Sequence, residues 1–288
     1  MVATPTRPKV QLAAKPEIVW EKLPKDFFLP DDPVDNINQP ALAAALTDSL
    51  SLAGYLSKTA VTTTNYGICA KIDGKTVAKA PNWSWIPAIA VPKTEIERSY
   101  TPVLEGDLPL IVIEFILEAE GIEEYSAKPV YPFGKWFYYE RILKVPNYVI
   151  FYHKTGTIEF YQLSDKGIYE LQMPDQDGLY WLAEAKLFLG AWEGSHQDRV
   201  GWWLRWWDVD KQMLLWGEEL AVRERQLTEQ ERQRAEQERQ RADQAEQALE
   251  QVEQERQSAI AKLLTLGLSA EQIADTLSIP IDDIPISN

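Results

Sequence analysis

The stretch of sequence from Lys79 to Glu140 decides the fold. It contains three strongly patterned pieces, KAPNWSWIPAI (79–89), RSYTPVLEGDLPLIVIEFI (98–116) and KPVYPFGKWFYYE (128–140). In the middle piece, Glu114 lies inside the run from Leu108 to Leu117, which is the most β-like run of the chain. A carboxylate in such a run loses hydration, and burying it unpaired is costly. We therefore expect Glu114 to be paired, exposed at a strand end or bound to a metal.

The composition is that of a globular chain with one sizeable domain and an appendage. Its 288 residues are 45% hydrophobic and include 11 Trp. No run of about 18 apolar residues is present, and the first residues lack an apolar core of signal-peptide length. A single cysteine, Cys69, excludes an intrachain disulfide and a cysteine-based zinc cluster, and the two histidines argue against a His-rich metal site. We expect a cytosolic protein that does not contact a membrane.

The charge is acidic along the whole chain, with a net value of −15. Residues 1–216 carry 21 basic against 28 acidic side chains, residues 217–258 carry 7 against 12, and residues 259–288 carry 1 against 4. Long-range attraction to nucleic acid is therefore absent. This argues against a high-affinity non-specific DNA binder and leaves room for a local basic groove.

Residues 27–216 have the dense, mixed order of strands and few helices that predicts an α+β domain with a mixed sheet. Residues 1–26 show no clear periodicity and predict a loose N-terminal arm. Proline at the first turn and a terminal glycine predict a helix over 40–54, and Asp73-Gly74 predicts a hairpin turn within 60–80. The other predicted elements are strands over 83–90, 108–117, 148–152, 157–163 and 169–173, a helix over 134–144, and a polar loop over 118–131.

The tryptophan-rich sequence VGWWLRWWDVDKQMLLW (200–216) predicts a hairpin that turns at Asp208 to Lys211. Because successive strand residues point to opposite faces, each of the two Trp pairs places one ring on each face. We interpret one face as core and the other as a contact with a lid or helix. This interpretation is preferred to a platform that stacks carbohydrate rings or nucleotides.

From Glu218 the composition changes to a charged repeat. Residues 224–258 divide into five consecutive seven-residue segments, ERQLTEQ, ERQRAEQ, ERQRADQ, AEQALEQ and VEQERQS. Small or apolar residues fall three and four apart, at Ala235, Ala242, Ala245, Leu249, Val252 and Ala259. This pattern predicts a helix of roughly 50 Å with a heptad seam. The seam is mostly alanine and includes Glu231 and Glu238, so it is typical of a weak coiled coil or of a solvated helix supported by Glu–Arg pairs. Homo-oligomerisation through 224–258 and a plain spacer both remain open.

Residues 259–288 predict a small C-terminal element of two short helices. Gly267 ends the first helix, and Ser269 caps the second with Gln272 three residues on, as in a capping box. The pattern is similar to half of a helix-turn-helix, but Lys262 is its single basic residue. A protein-docking or dimer cap is therefore favoured over a DNA reader.

Three side chains on neighbouring predicted elements, Asn82, Glu114 and Lys135, suggest a metal-dependent nuclease site. Metal-assisted phosphodiester cleavage needs hard oxygen ligands for Mg²⁺, and a nearby lysine orients the water or stabilises charge. The spacing equally allows a structural ion pair between Glu114 and either Lys135 or Arg98. The pattern alone does not separate these two interpretations.

Residues 27–216 resemble the Uma-type family of restriction-endonuclease-like proteins, within the PD-(D/E)XK nuclease superfamily. The resemblance is carried by LPDDPVDN (29–36), NYGIC (65–69), KAPNW (79–83), ERSYTP (97–102), EGDLPLIVIEF (105–115), GKWFYYE (134–140) and VPNYVIF (145–151). It implies a restriction-endonuclease-like α+β core with a mixed sheet and flanking helices. It also implies a DNA endonuclease that uses Mg²⁺ or Mn²⁺.

The resemblance assigns roles to individual residues. The family's Pro-Asp supplies a metal ligand, and Pro81-Asn82 stands in its place here. The family's strand glutamate matches Glu114, which is thereby implied as a metal ligand and catalytic residue. Its lysine matches Lys135 as catalytic base or charge stabiliser, with Lys128 as a second candidate.

The departure from the family pattern is Asn82, which is neutral and holds a divalent cation more weakly than a carboxylate does. Ile116 stands where the superfamily often has lysine. The acidic loop either repels phosphate or replaces the missing ligand with one of its glutamates, Glu118, Glu120, Glu123 or Glu124. Two hypotheses follow: a DNA endonuclease weakened or inactivated by Asn82, and a non-catalytic interaction protein that keeps the nuclease fold as a scaffold.

Overall fold

The computed structural model describes residues 17–24, 27, 37–116 and 127–285. The chain divides into two compact units, the first ending at Glu219 and the second beginning at Leu220. The predicted acidic loop falls largely outside the described residues. Within the described residues, no helix combines the length and the apolar composition that crossing a membrane requires.

The first unit is an α+β domain, as the sequence predicts. Its strands are β1 (Ile18–Val19), β2 (Val61–Thr63), β3 (Ile68–Ile72), β4 (Lys75–Lys79), β5 (Trp83–Ile86), β6 (Ile111–Ile116), β7 (Asn147–Tyr152), β8 (Thr157–Leu163), β9 (Tyr169–Leu171), β10 (Tyr180–Leu182), β11 (Leu187–His196) and β12 (Arg199–Trp207). The helices among the residues that the structure describes are α1 (Asn38–Leu52), α2 (Lys135–Phe137, continued by the π-helical turn Tyr138–Leu143), α3 (Gly217–Thr265) and α4 (Ala270–Leu277). Short 3₁₀ turns occupy Lys93–Glu95 and Ile281–Asp283.

A six-stranded mixed sheet forms the centre of the first unit, in the order β2-β5-β6-β7-β8-β9. Strands β6 and β7 run parallel, and the other neighbours run antiparallel. A parallel pair needs a crossover connection, and the segment containing α2 supplies it. The predicted Asp73-Gly74 turn is confirmed, since both residues have positive φ and join β3 to β4.

Two predicted segments differ from the structure. The arm predicted as loose contains β1, whose Ile18 pairs with Ile72 of β3 in the three-stranded sheet β1-β3-β4. The strand predicted over 83–90 ends at Ile86, because Pro87 has no N–H to donate to a ladder.

The two faces of the six-stranded sheet are covered by different layers. Helix α1 and the antiparallel sheet β10-β11-β12 cover one face, and α2 with the β3–β4 hairpin covers the other. Strand β6 contributes Ile111, Ile113 and Phe115 to the first core and Val112 to the second. Because side chains alternate along a strand, Glu114 follows Val112 onto the face that carries α2.

The tryptophan-rich segment turns at Asp208 to Lys211 as predicted, but the long partner of β12 precedes it in the chain. Strand β12 pairs along its whole length with β11, and the residues after Asp208 return to it through one bridge, between Trp207 and Met213. Trp203 and Trp206 are buried, whereas Trp202 and Trp207 are partly exposed. Because Trp203 and Trp206 are three residues apart on β12, their buried rings lie on opposite faces of the strand, and both faces are covered there.

The second unit consists of most of α3 and a small helical cap. Helix α3 has 49 residues, which corresponds to about 73 Å. It begins at Gly217, ahead of the heptads over 224–258, and it ends at Thr265, within the segment 259–288 that the sequence predicts as two short helices. Ile260, Ile273 and Ile284 form the buried centre of the cap. The predicted capping box at Ser269 and Gln272 is confirmed.

Candidate functional site

The structure brings the three predicted site residues together on one face of the sheet. The antiparallel register pairs Trp83 with Ile113, which places Asn82 opposite Glu114. The Asn82 backbone N–H donates to Glu114 Oε2 over 3.2 Å, and Lys135 Nζ lies 3.2 Å from the same oxygen. Glu114 therefore forms the ion pair with Lys135 that the sequence left open as a structural interpretation.

A fourth residue, Tyr139, completes the site and was not predicted. Its hydroxyl donates to Glu114 Oε1 over 3.0 Å. Lys135 and Tyr139 are four residues apart on one helical segment, so they share a face, and this spacing is the signal that could have identified Tyr139. Lys128, the second candidate lysine, is exposed.

The side chain of Asn82 has a structural role between three segments. Its Oδ1 accepts the Phe115 N–H over 2.7 Å, and its Nδ2 donates to Asn65 Oδ1 over 3.1 Å. The amide thus ties the start of β5 to β6 and to the turn at Asn65, where φ is 46°. A carboxylate at this position would offer only acceptors. The neutral amide is suited to both contacts, because it accepts from the Phe115 N–H and donates to Asn65 Oδ1.

Burial sets the electrostatics of this site. Glu114 is fully buried, and Lys135 and Asn82 are nearly so. Burial raises the pKa of the Glu114 carboxyl above its ordinary value, although Lys135, the Tyr139 hydroxyl and the Asn82 N–H each act to lower it. Burial beside Glu114 also raises the pKa of Tyr139 well above its ordinary value, so Tyr139 is a neutral donor.

The described residues do not fit a divalent cation. Mg²⁺ demands near-octahedral oxygen ligands at about 2.0–2.1 Å. Both Glu114 oxygens and Asn82 Oδ1 already accept hydrogen bonds from protein donors. The Lys135 ammonium would repel a second cation at the same oxygen. Among the described residues, no group of three or more His, Cys, Asp or Glu side chains could hold a metal ion. The alternative ligands of the acidic loop lie outside those residues: Glu118, Glu120, Glu123 and Glu124.

Two other predicted participants lie elsewhere. Arg98, the alternative partner for Glu114, donates to the carbonyls of Pro24 and Phe27 instead, over 3.3 and 2.9 Å. Ile116, which stands at the superfamily's usual lysine position, packs at the edge of the core that contains α2. Neither contributes a charge to the site.

A second polar cluster, around Arg205, was also missed from the sequence. The buried Arg205 guanidinium donates to both Glu219 oxygens, over 3.1 and 2.7 Å, and its carbon lies 3.3 Å from the centre of the Trp216 ring. His196 stacks on the same Trp216 ring at 3.9 Å and bonds to Glu218 through Nδ1. Within the first unit, the cluster therefore ties Glu218 and Glu219 to the β11–β12 hairpin.

The carboxylate in this cluster is held in its charged form. Burial alone would raise the pKa of Glu219, but hydrogen bonds from Arg205 and from the Trp216 N–H hold it below its ordinary value. The tryptophans here serve as core and as a stacking partner for arginine. This matches the core interpretation of the segment.

No protein-family model, curated protein or solved structure matches this chain. The resemblance to the Uma-type family therefore stays a prediction, and the contacts around Glu114 carry the functional argument.

Proposed function

We propose that this chain is a non-catalytic interaction protein. Its first unit is a restriction-endonuclease-like fold that serves as a scaffold, and α3 with its cap makes the contacts to a partner. The observation that carries the proposal is the saturation of Glu114. The carboxylate that resembles the family's metal ligand is instead bonded to Lys135, Tyr139 and Asn82.

The ion pair replaces a metal in electrostatic terms. A buried carboxylate needs a nearby positive charge, which a bound cation or a lysine can supply. Here Lys135 supplies it from within the fold, and two neutral donors add hydrogen bonds, the Asn82 N–H to Oε2 and the Tyr139 hydroxyl to Oε1. A site of this kind is complete without an ion, and its stability does not depend on metal.

The interaction part of the proposal rests on the exposure of α3. Every residue from Val222 to Val252 is exposed, including Leu249 and Val252 at heptad spacing. We infer that this long, exposed and charged helix functions by pairing with another surface. A cytosolic location also belongs to the proposal, and it rests on cysteine usage, because a chain with the single cysteine Cys69 forms no intrachain disulfide.

A second candidate function is a metal-dependent DNA endonuclease of the PD-(D/E)XK type. The observation that favours it is the convergence of Asn82, Glu114 and Lys135 on neighbouring elements. For cleavage of DNA with Mg²⁺ or Mn²⁺, Glu114 would have to exchange protein donors for the ion. At least one further oxygen ligand would have to come from outside the contacts seen here.

The substitution Asn82→Asp separates the two candidates. We expect the wild-type chain to leave supercoiled plasmid DNA intact with Mg²⁺ or Mn²⁺. Asn82→Asp places a second carboxylate beside Glu114, so Mn²⁺ should stabilise the variant against heat, by about 2.7 kcal/mol at a hundredfold excess over its dissociation constant. Thermal unfolding with Mn²⁺ and with EDTA measures this effect, and plasmid nicking measures cleavage.

The matched control is the double variant Asn82→Asp with Glu114→Gln, which keeps one carboxylate at the site and should lose the response to Mn²⁺. Plasmid cleavage by the wild-type chain that disappears in Glu114→Gln would establish the endonuclease and overturn the non-catalytic proposal.

A further inference from the structure

One exposed face of α3 carries small or apolar residues at five positions and a glutamate, Glu238, at a sixth. This seam consists of six positions, three and four residues apart: Ala235, Glu238, Ala242, Ala245, Leu249 and Val252. Leu249 is 73% exposed and Val252 is 64% exposed. Residues at this spacing lie on one stripe of a helix and match the a and d positions of a coiled coil.

The cap marks the C-terminal limit of the seam. Ile260 is buried against the cap, and Arg256 bonds to Asp283 of the cap and to Glu253 of its own helix. The seam positions beyond Val252, which are Arg256 and Ala259, are therefore partly covered. A partner helix can lie along the segment from about Ala235 to Val252.

Charge is distributed unevenly along α3, and this distribution indicates which kind of helix is complementary to it. Residues 223–241 carry six Arg and five Glu, whereas residues 243–255 carry five acidic side chains and no basic one. A helix that is complementary to this pattern has its acidic half opposite the arginine-containing half. Helix α3 itself, turned end for end, meets that requirement.

We propose that α3 pairs with α3 of a second copy of this chain in an antiparallel coiled coil centred between Ala242 and Ala245. In this register Ala242 faces the partner's Ala245, and Ala235 faces the partner's Val252. Leu249 faces the partner's Glu238. The seam is thus closed by small side chains at its centre and by the larger apolar residues towards its ends.

The residues beside the seam specify this orientation. Antiparallel pairing places Arg239 against the partner's Glu246, Arg232 against the partner's Glu253, and Arg234 against the partner's Glu255. By symmetry each contact occurs twice. Opposite charges at these flanking positions set partner choice and orientation in coiled coils.

Parallel pairing is disfavoured by the same residues. It would place Glu238 against the partner's Glu238 within the seam and Arg234 beside the partner's Arg239. Both are like-charge contacts, which destabilise an interface. The antiparallel arrangement has neither.

This inference rests on the interaction role proposed for α3 and is independent of whether the first unit cleaves DNA. Plasmid assays address the first unit, and association of the chain addresses α3, so the two can fail separately. Because the seam is short and alanine-rich, we expect a dissociation constant on the order of 10 µM.

Sedimentation equilibrium of the full chain tests the dimer. The wild type should approach twice its mass of 32.9 kDa as concentration rises through that range. Arg239→Glu and Glu246→Arg should each weaken the dimer about tenfold or more, because each substitution turns two attractive contacts into repulsive ones. An equimolar mixture of the two variants should associate as the wild type does, since every contact between unlike chains is again attractive.

This rescue can arise only between copies. Arg239 and Glu246 are seven residues apart, about 10.5 Å along one helix, and do not touch within a chain. Circular dichroism should show unchanged helix content in both variants. A wild-type chain that stays monomeric at about 100 µM, tenfold above the expected dissociation constant, or a dimer that Arg239→Glu tightens, would overturn the proposal. The second result would indicate parallel pairing.

Discussion

Replacing Lys135 by methionine should lower the free energy of unfolding by about 3–5 kcal/mol, one of the two largest effects expected of a single substitution in this chain. The reason is the state of Glu114, which is fully buried and would lose the ion pair that Lys135 forms with it among the described residues. Methionine keeps most of the volume of the lysine stem, so the loss is electrostatic. Urea unfolding followed by tryptophan fluorescence measures it.

Two controls make the result specific. Lys128→Met makes the same chemical change at an exposed lysine and should alter the stability by less than about 0.5 kcal/mol. Combining Lys135→Met with Glu114→Gln removes the buried charge, so the double variant should be more stable than Lys135→Met alone. If Lys135→Met and Lys128→Met have equal effects, Glu114 does not depend on Lys135.

The destabilisation should also depend on pH. Burial already raises the pKa of Glu114, and removing Lys135 raises it further. A raised folded-state pKa means that protonation favours the folded state. The loss of unfolding free energy in Lys135→Met is therefore smallest below the ordinary carboxyl pKa. It grows as pH rises through the folded-state pKa.

Replacing Glu219 by alanine should cost about 3 kcal/mol of unfolding free energy or more. Arg205 is fully buried, and Glu219 is its carboxylate partner through two hydrogen bonds. Removal leaves a buried guanidinium without a counter-ion and leaves the Trp216 N–H without its acceptor. Urea unfolding of the full chain measures the change.

The adjacent residue provides the matched control. Glu218 lies in the same helical turn, but it is largely exposed and pairs with His196. Glu218→Ala should therefore cost less than about 1 kcal/mol. Equal costs for the two substitutions would show that helix propensity, and not the pair with Arg205, determines the effect.

The sequence predicts the local elements because their signals are local. The Asp73-Gly74 turn, the alternation in β6 and the capping box at Ser269 each depend on a few adjacent residues, and each is present in the structure. Alternation also predicts that Glu114 and Val112 share a face. The partners of that face follow from the sheet order, which brings α2 over β6.

The roles at the site could not be predicted in the same way. A motif identifies Asn82, Glu114 and Lys135 as neighbours, but it does not reveal which atoms meet. The Asn82 side chain bonds to Phe115 and Asn65, and its backbone N–H reaches Glu114. Hydrogen bonds of this kind depend on tertiary geometry that the spacing of residues does not contain.

The Arg205 cluster shows the same limit. Its members come from β11, β12 and the start of α3, and Trp216 contacts the Ala45 carbonyl of α1. In the sequence Arg205 is a charged residue between two tryptophan pairs, and no local signal indicates that its side chain is buried. The sequence predicts the turn at Asp208 to Lys211, which is present, but it does not indicate that the long partner of β12 is β11.

The central claim is that Glu114 is the acceptor of a closed, ion-paired site. Calorimetric titration of Mn²⁺ into the full wild-type chain, compared with Glu114→Gln, tests this claim most directly. The acidic surface of the chain contributes weak binding equally to both proteins. Since Glu114 is already bonded to Lys135, Tyr139 and Asn82, we predict that the two titrations coincide. A single Mn²⁺ site in the wild type that Glu114→Gln abolishes would contradict the account.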